Sequence, residues 1–345
     1  GRRPKRGITS AGHVDVAFDG SCRDVGLGFR QGGPPRPDVG RWVVYLDRIR
    51  GAGSGPASDR VQAVANGDQP EVGAGGGHLR QVLPLRCEQR VVPGYSTDPL
   101  AESSAGASPG IIHTYHGRVL LIATGACAVH CRYCFRRHFP YQEHSRSRRQ
   151  WDDSLSYIRA DNSISEVILS GGDPLMLSDE RLAGLIHALD AIPHLKRLRI
   201  HSRMPIVLPN RLTDSLLTAF NSSRLRRSLV IHCNHPRELD LQIADKLGPL
   251  KATGTLLLSQ SVLLKGVNDD IATLRALSES LFDHGILPYY LHLLDPVAGA
   301  AHFDLADARA RLLYRQLLEQ LPGYLVPKLV RESPELPFKN PISPR

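Results

Sequence analysis

The segment 119–134, VLLIATGACAVHCRYC, joins an apolar run to three closely spaced cysteines. Its first five residues are apolar and have the length of a buried strand, and a glycine soon afterwards opens a loop. Cys127, Cys131 and Cys134 then form a C-x3-C-x2-C pattern within that loop. The short spacings let three thiolates face one side of the loop. There they can bind one four-iron cluster and leave its fourth iron open.

Two other interpretations of the cysteine loop remain open on spacing alone. His130 or His138 would complete a structural zinc site, or the three thiols would bind no metal. Of the other cysteines, neither Cys87 nor Cys233 has the nearby second ligand that zinc sites usually use, and Cys22 stands alone in a glycine-rich region. The iron–sulfur interpretation is therefore favoured.

Beyond the cysteine loop, short apolar runs alternate with amphipathic segments. The predicted strands are Val119–Ala123, Glu166–Ser170, Leu195–His201, Leu229–Asn234, Thr255–Gln260 and Leu287–Leu293. The predicted helices are Trp151–Ala160, Ser178–Leu189, Thr213–Asn221, Glu238–Leu247, Ile271–His284 and Ala306–Leu321. Six strand-then-helix units predict an α/β fold with a parallel sheet, either an open doubly wound sheet or a partial barrel. In both folds the active groups lie at the carboxyl ends of the strands.

Capping residues predict several helix ends. Asp152 or Asp153, Ser178 and Asn268 are candidate N-caps, because their side chains can accept from free backbone N–H groups. Gly285 is a candidate for a C-terminal cap, since glycine adopts positive φ without strain.

The second predicted strand ends in a candidate binding turn, Ser170-Gly171-Gly172-Asp173. Its two glycines would let the backbone approach a ligand closely, and Asp173 would accept from an ammonium group. Taken alone, the same residues also describe an ordinary turn.

Composition excludes several classes of protein. The 345 residues carry a formal net charge of +9. No apolar run reaches the roughly 18 to 20 residues that span a bilayer, which excludes a transmembrane protein. No apolar stretch of a signal peptide follows the basic start, so we expect a cytoplasmic protein. The basic residues form no block, and only 6% of residues are aromatic, which argues against nucleic-acid binding.

The chain divides into four predicted regions. Residues 1–78 hold 17 of the 31 glycines and show no sustained periodicity, which predicts an irregular segment or a mistranslated start. Residues 79–118 lead into the α/β region over 119–322, which is either the open sheet or the partial barrel. Residues 323–345 would form a last strand and a tail.

The cysteine loop after the first strand resembles the radical S-adenosylmethionine (SAM) superfamily. Tyr133 matches the aromatic residue common before the last cysteine, and the turn 170–173 looks like the glycine-rich SAM motif. The resemblance implies a partial (β/α)6 barrel. It also implies a [4Fe-4S] cluster on Cys127, Cys131 and Cys134 whose open iron binds SAM and cleaves it to an adenosyl radical.

A wider pattern resembles the lysine 2,3-aminomutase family. The matching segments are 131–141 (CRYCFRRHFPY), 199–203 (RIHSR), 260–269 (QSVLLKGVND) and 288–292 (PYYLH). These enzymes add pyridoxal 5′-phosphate (PLP) to the SAM chemistry, so that an imine carries the nitrogen migrating from the α to the β carbon. Lys339, by default a solvated tail lysine, occupies the position of the PLP lysine and is the implied catalytic residue.

The resemblance implies further binding roles. Arg136 matches the arginine that pairs the substrate α-carboxylate, a contact that suits a planar guanidinium. Asp295 and Glu332 match the carboxylates that hold the substrate ε-ammonium. Arg118 is a candidate for the PLP phosphate.

Within the family, the chain most resembles the shorter branch that serves elongation factor P. The segments 135–141 (FRRHFPY) and 323–332 (GYLVPKLVRE) and the end at Arg345 carry this resemblance. It implies conversion of L-lysine to (R)-β-lysine, with elongation factor P, its lysine ligase and a flavodoxin or ferredoxin reductant as partners. An aminomutase for another amino acid, or a non-catalytic iron–sulfur or zinc protein, remains an alternative.

Overall fold

A computed structural model describes residues 80–103, 105–141 and 149–345. The predicted irregular segment 1–78 lies outside the described residues, so its interpretation stays a prediction.

One sheet of ten strands, ordered as in the chain, forms the centre of the described fold. The strands are β1 (Gly106–Ser108), β2 (Ile111–Tyr115), β3 (Arg118–Thr124), β4 (Glu166–Gly171), β5 (Arg197–Ser202), β6 (Arg226–His232), β7 (Leu256–Val262), β8 (Leu287–His292), β9 (Lys328–Arg331) and β10 (Asn340–Pro341). Strands β3 to β9 are parallel, and β1, β2 and β10 add antiparallel edges. The strands follow one another in chain order with no reversal, whereas a doubly wound sheet reverses its strand order at a switch point, so the predicted partial barrel is confirmed.

Helices connect successive parallel strands. They are α1 (Arg149–Ala160), α2 (Asp179–Asp190), α3 (Met204–Val207), α4 (Asp214–Asn221), α5 (Leu241–Ala252), α6 (Ile271–Asp283) and α7 (Asp307–Gln320). The crossover helices cover one face of the sheet, as right-handed βαβ connections require.

The predicted helix caps are partly confirmed. Ser178 is the N-cap of α2 and accepts from Arg181 N at 3.4 Å, and Gly285 follows α6 with φ +71°. The prediction that Asp152 or Asp153 is an N-cap was wrong, because both lie inside α1, whose described residues start at Arg149. The prediction that Asn268 is an N-cap was also wrong.

Asp270 takes the capping position that was expected of Asn268. Its carboxylate accepts from Thr273 N at 2.9 Å. Asn268 is instead fully buried and bonds to the backbone of Val262 and Asn234.

Alternation along the strands separates the core from the site. In β5, Leu198 and Ile200 are buried in the main apolar cluster between sheet and helices. Successive side chains of a strand point to opposite faces, so Arg199 and His201 lie on the face away from the helices. Polar residues of neighbouring strands share that face. Among the described residues, no helix is long and apolar enough to cross a membrane.

Candidate active site

The three predicted cluster ligands lie in the loop that follows β3. Cys127, Cys131 and Cys134 are free and partly accessible thiols. Burial raises the pKa of Cys127 well above its usual value and that of Cys134 to about 11, and the charges of neighbouring cysteines add to both. The thiols therefore lie within electrostatic reach of one another.

The donor set fits an iron–sulfur cluster better than zinc. Across 80–103, 105–141 and 149–345, no three His, Cys, Asp or Glu side chains are already arranged around a metal position. Neither His130 nor His138 completes such a group, and the His138 ring lies 3.1 Å from Ala298 O. Three cysteines without a fourth protein ligand in the described residues suit a four-iron cluster, because its fourth iron can take a ligand from outside the protein, whereas a structural zinc site needs four protein ligands.

The glycine turn packs against the cysteine loop. Gly172 N donates to Thr124 O at 2.7 Å, and Asp173 N donates to Ala126 O at 2.8 Å. A Cβ atom on Gly172 would lie only 2.3 Å from Ala126 O. The sequence suggested that these glycines admit a ligand, whereas in the structure Gly172 admits the backbone of the cysteine loop.

Asp173 joins the ends of β4 and β5. Its buried carboxylate accepts from Leu175 N (3.0 Å), Ser202 Oγ (2.7 Å), Arg203 N (2.8 Å) and Met204 N (3.1 Å). Burial raises its pKa, which these hydrogen bonds partly offset. Four donors match the acceptor capacity of a carboxylate, so Asp173 has a structural role here. Its contact with a SAM ammonium stays a prediction.

Arg136 is paired inside the protein. Its Nε and Nη2 each donate to the Glu102 carboxylate at 2.6 Å, and Nη1 donates to Ser170 Oγ at 3.2 Å. Burial alone would lower the pKa of Arg136, but the Glu102 carboxylate raises it above the usual value. Sequence reasoning missed Glu102, because nothing local in the sequence links it to Arg136. Only the Nη1 edge faces the glycine turn.

Lys339 lies among groups that control its charge. It forms an ion pair with Glu332, and its Nζ lies 5.6 Å from the centre of the Tyr290 ring. Burial lowers its pKa to about 7, opposed by the Asp295 carboxylate. Burial likewise raises the pKa of Asp295 to about 7, opposed by Lys339. The structure thus brings these three predicted residues together.

Arg118 belongs to the same group. Its guanidinium stacks 4.4 Å above the Tyr115 ring, and Tyr115 OH donates to Glu332 Oε2 at 3.4 Å. The charges of Arg118 and Arg136 both help to lower the pKa of Lys339. Arginines and carboxylates predicted from separate motifs therefore surround one lysine.

Two histidines of the same face were missed by sequence reasoning. His201 and His292 each bury Nε2 without a hydrogen-bond partner in the described part of the chain. Burial lowers the pKa of both well below the usual value, and the Lys339 charge adds to this effect. Unpaired buried nitrogens indicate a polar ligand at this position. The available signal in the sequence was the position of each histidine in its strand, two residues from another polar residue, which places both side chains on the same face.

Comparisons with known proteins find similarity over most of the chain. The sequence model of the Radical SAM superfamily matches residues 121–249. The L-lysine 2,3-aminomutase of Escherichia coli (strain K12) is 52% identical over 264 residues, which cover 76% of this chain and 77% of that protein. The Haemophilus influenzae protein of the same name is 54% identical over 247 residues, or 72% of this chain and 73% of that one. The Clostridium subterminale protein of that name is 35% identical over 77% of this chain and 64% of its own length.

Proposed function

This chain belongs to the L-lysine 2,3-aminomutase family of the radical SAM superfamily, and we propose that it converts L-lysine to (R)-β-lysine for elongation factor P. As an isomerase, it moves an amino group within one molecule. The observation that carries the substrate proposal is the group around Lys339, where a lysine of lowered pKa faces Asp295 and Glu332.

The cofactors are a [4Fe-4S] cluster, SAM and PLP. When bound, the cluster and SAM supply the radical that starts the reaction, and PLP supplies a carrier for the migrating nitrogen. We assign the cluster to the three cysteines of the 127–134 loop and SAM to the adjacent turn 170–173. We assign PLP to Lys339, with its phosphate near Arg118.

Lys339 suits a covalent link to PLP because its amine is easily deprotonated. With a pKa of about 7, about half of the side chains are neutral at pH 7, and only a neutral amine attacks a carbonyl. The unpaired Nε2 atoms of His201 and His292 are available to hydrogen-bond the bound groups. The face away from the helices thus provides both the covalent anchor and polar contacts.

The charges of the site favour a cationic amino acid with a carboxylate. Arg136 would bind the α-carboxylate through Nη1, since Glu102 already holds its Nε and Nη2. Asp295 and Glu332 would bind the distal ammonium. A substrate with an acidic side chain would instead require a basic group there, so a cationic amino acid such as lysine is preferred over an acidic one.

The substrate assignment is tested by changing one carboxylate. Asp295→Asn should raise the KM for lysine about tenfold or more, because a charge-assisted contact with the ammonium is lost. Asp283→Asn, at the exposed end of α6, is the matched control and should leave KM unchanged. An unchanged KM in Asp295→Asn would favour an aminomutase for another amino acid.

The reaction is tested by anaerobic reconstitution with iron, sulfide, SAM, PLP and lysine, followed by chromatography of the products. Wild type should form β-lysine. Lys339→Ala should not, whereas Lys328→Ala, an exposed lysine on β9, should. Absence of β-lysine from the fully reconstituted wild type would contradict the proposed activity.

A cysteine pair separates this proposal from a structural metal protein. Cys131→Ser should abolish SAM cleavage while the far-ultraviolet circular dichroism stays close to wild type. Cys87→Ser, which removes a thiol outside the C-x3-C-x2-C pattern, should retain activity. Unfolding of Cys131→Ser would favour the non-catalytic alternative.

The proposed link to elongation factor P rests on two segments, 135–141 and 323–332, that resemble the shorter branch of the family. It also rests on the chain's greater similarity to the E. coli relative than to the clostridial one. The chain is 52% identical to the E. coli protein and 35% identical to the clostridial one, and it covers 77% of the former and 64% of the latter. The test is to express the chain in bacteria that lack their own aminomutase and to weigh elongation factor P by mass spectrometry. Unmodified factor, despite β-lysine production in vitro, would remove the partner and keep the reaction.

A further inference from the structure

Arg203 reaches the cysteine loop from the end of β5. It is 6% exposed, and its Nη1 donates to Cys131 Sγ at 2.9 Å and to Tyr133 OH at 2.8 Å. Cys131 is one of the three proposed cluster ligands. A buried positive charge therefore contacts a ligand sulfur directly.

Surrounding groups fix the position of this guanidinium. Its Nη2 donates to Gln81 Oε1 at 2.7 Å and lies 3.4 Å from Glu238 Oε1. Gln81 is fully buried and donates to the same Glu238 oxygen at 2.6 Å. The backbone N of Arg203 donates to Asp173. The guanidinium is therefore held from several sides and cannot easily turn away from the sulfur.

The arginines of the cysteine loop itself pair with carboxylates, as Arg203 also does with Glu238. Arg132 and Arg137 both bind Glu88, and Arg136 binds Glu102. Among these described arginines, Arg203 is the one that donates a hydrogen bond to a sulfur of the C-x3-C-x2-C pattern. The position of Arg203 thus distinguishes it from the general basic character of the region.

We propose that Arg203 is a positioning residue that holds Cys131 and raises the one-electron reduction potential of the cluster. This inference rests on the proposed cluster at the three cysteines. Reduction by one electron adds negative charge to the cluster and its sulfur ligands. A fixed N–H donor and a positive charge next to a ligand sulfur stabilise the reduced form more than the oxidised one. The expected consequence is easier reduction before SAM cleavage.

The test is a redox titration of the reconstituted full chain with dithionite as electron donor, followed by electron paramagnetic resonance. Each oxidised cluster takes up one electron from dithionite. Arg203→Gln should make reduction about tenfold less favourable, which corresponds to a midpoint about 59 mV lower for one electron. Arg203→Lys keeps the charge but loses the forked geometry, and its midpoint should fall between the two.

Arg224→Gln is the matched control. Arg224 donates to three backbone carbonyls, of Asp190, Ile192 and Leu195, none of them in the cysteine loop. Its replacement should weaken folding and leave the midpoint unchanged, because a merely structural role does not move the potential.

A wild-type midpoint in Arg203→Gln with a full iron content would overturn the proposal. If Arg203→Gln fails to take up a cluster, Arg203→Lys decides, and a midpoint equal to wild type would overturn it. The titration contains no lysine, so its outcome is independent of whether β-lysine forms.

Discussion

At the scale of single residues, the pKa of Lys339 bears on the proposed covalent link between this lysine and PLP. Burial lowers this pKa from 10.5 to about 7, so the neutral amine is present above pH 7 and lost below it. An ordinary lysine is neutral in only about one molecule in three thousand at pH 7. We therefore expect covalent attachment of PLP to rise with pH around a midpoint near 7.

The measurement is the visible absorbance of lysine-bound PLP between pH 5 and pH 10. Lys328→Ala should follow the wild-type curve, and Lys339→Ala should show no such absorbance. A midpoint close to 10 would contradict the lowered pKa of Lys339.

The Glu102–Arg136 pair provides a second prediction at this scale. The side chains are 12% and 8% exposed, and Glu102 accepts from both Nε and Nη2 of Arg136. Removing one member of a buried pair leaves an uncompensated charge, which costs roughly 3 to 5 kcal/mol. We expect Glu102→Ala to lower the free energy of unfolding by about 3 kcal/mol.

Urea denaturation would measure this loss of stability, provided that the slope of the unfolding free energy against urea concentration is the same in both proteins. Glu279→Ala is the control, because Glu279 pairs with Arg275 at 3.9 Å with both side chains about half exposed. Such exposed pairs contribute about 0 to 1 kcal/mol. Equal effects of the two substitutions would show that the buried pair does not stabilise the chain.

At the scale of elements, the strands were predictable and the capping contacts only in part. The strand Glu166–Ser170 was predicted from its apolar run, and the structure extends it by one residue to Gly171. Strand identity depends on composition within a short window, which the sequence displays. The start of a helix depends instead on which residue leaves the helical backbone, and Asp152 and Asp153, expected at that point, lie inside the described part of α1.

The site was predictable where a motif fixed it and not where distant segments meet. The cysteines and Lys339 were chosen as candidates from spacing and resemblance, and their roles stay predictions. Glu102 and Arg203 were missed, because their partners lie 34 and 72 positions away in the sequence. The folded chain brings such residues together: Arg203 follows β5 and Cys131 follows β3 at the same edge of the sheet, and Glu102 comes from the segment before β1.

The contact between the glycine turn and the cysteine loop gives a prediction about these two loops. Gly172→Ala would place a Cβ atom 2.3 Å from Ala126 O, a backbone atom that moves only with its loop. We expect this substitution to displace the cysteine loop and to reduce iron bound per chain several-fold after reconstitution. Iron and sulfide analysis would measure the loss.

Gly184→Ala is the matched control. Gly184 lies inside α2, and a Cβ atom there would meet no atom within 4 Å. Alanine in a helix interior should stabilise the chain by about 0.5 to 1 kcal/mol and leave iron binding unchanged. Full iron binding by Gly172→Ala would contradict the role of this contact in shaping the cysteine loop.

At the scale of the whole molecule, the proposed site joins the two ends of the described sheet. Arg118 lies on β3, near one end of the sheet. Near the other end, Glu332 directly follows β9 and Lys339 directly precedes β10. Tyr115 on β2 bonds to Glu332 across this open side of the sheet. A ligand bound at Lys339 should therefore stabilise the fold as a whole and not only the tail.

Thermal unfolding with and without PLP tests this coupling between the sheet edges. A ligand at 100 times its dissociation constant stabilises the native state by about 2.7 kcal/mol. For a domain of this size, each kcal/mol raises Tm by roughly 2 to 4 °C, so we expect a rise of about 5 to 10 °C.

Lys328→Ala should show the same rise, and Lys339→Ala should show little, because covalent attachment is lost. The rise should also shrink below pH 7, where Lys339 is protonated and cannot bind PLP. Equal rises in wild type and Lys339→Ala would mean that PLP acts elsewhere on the chain.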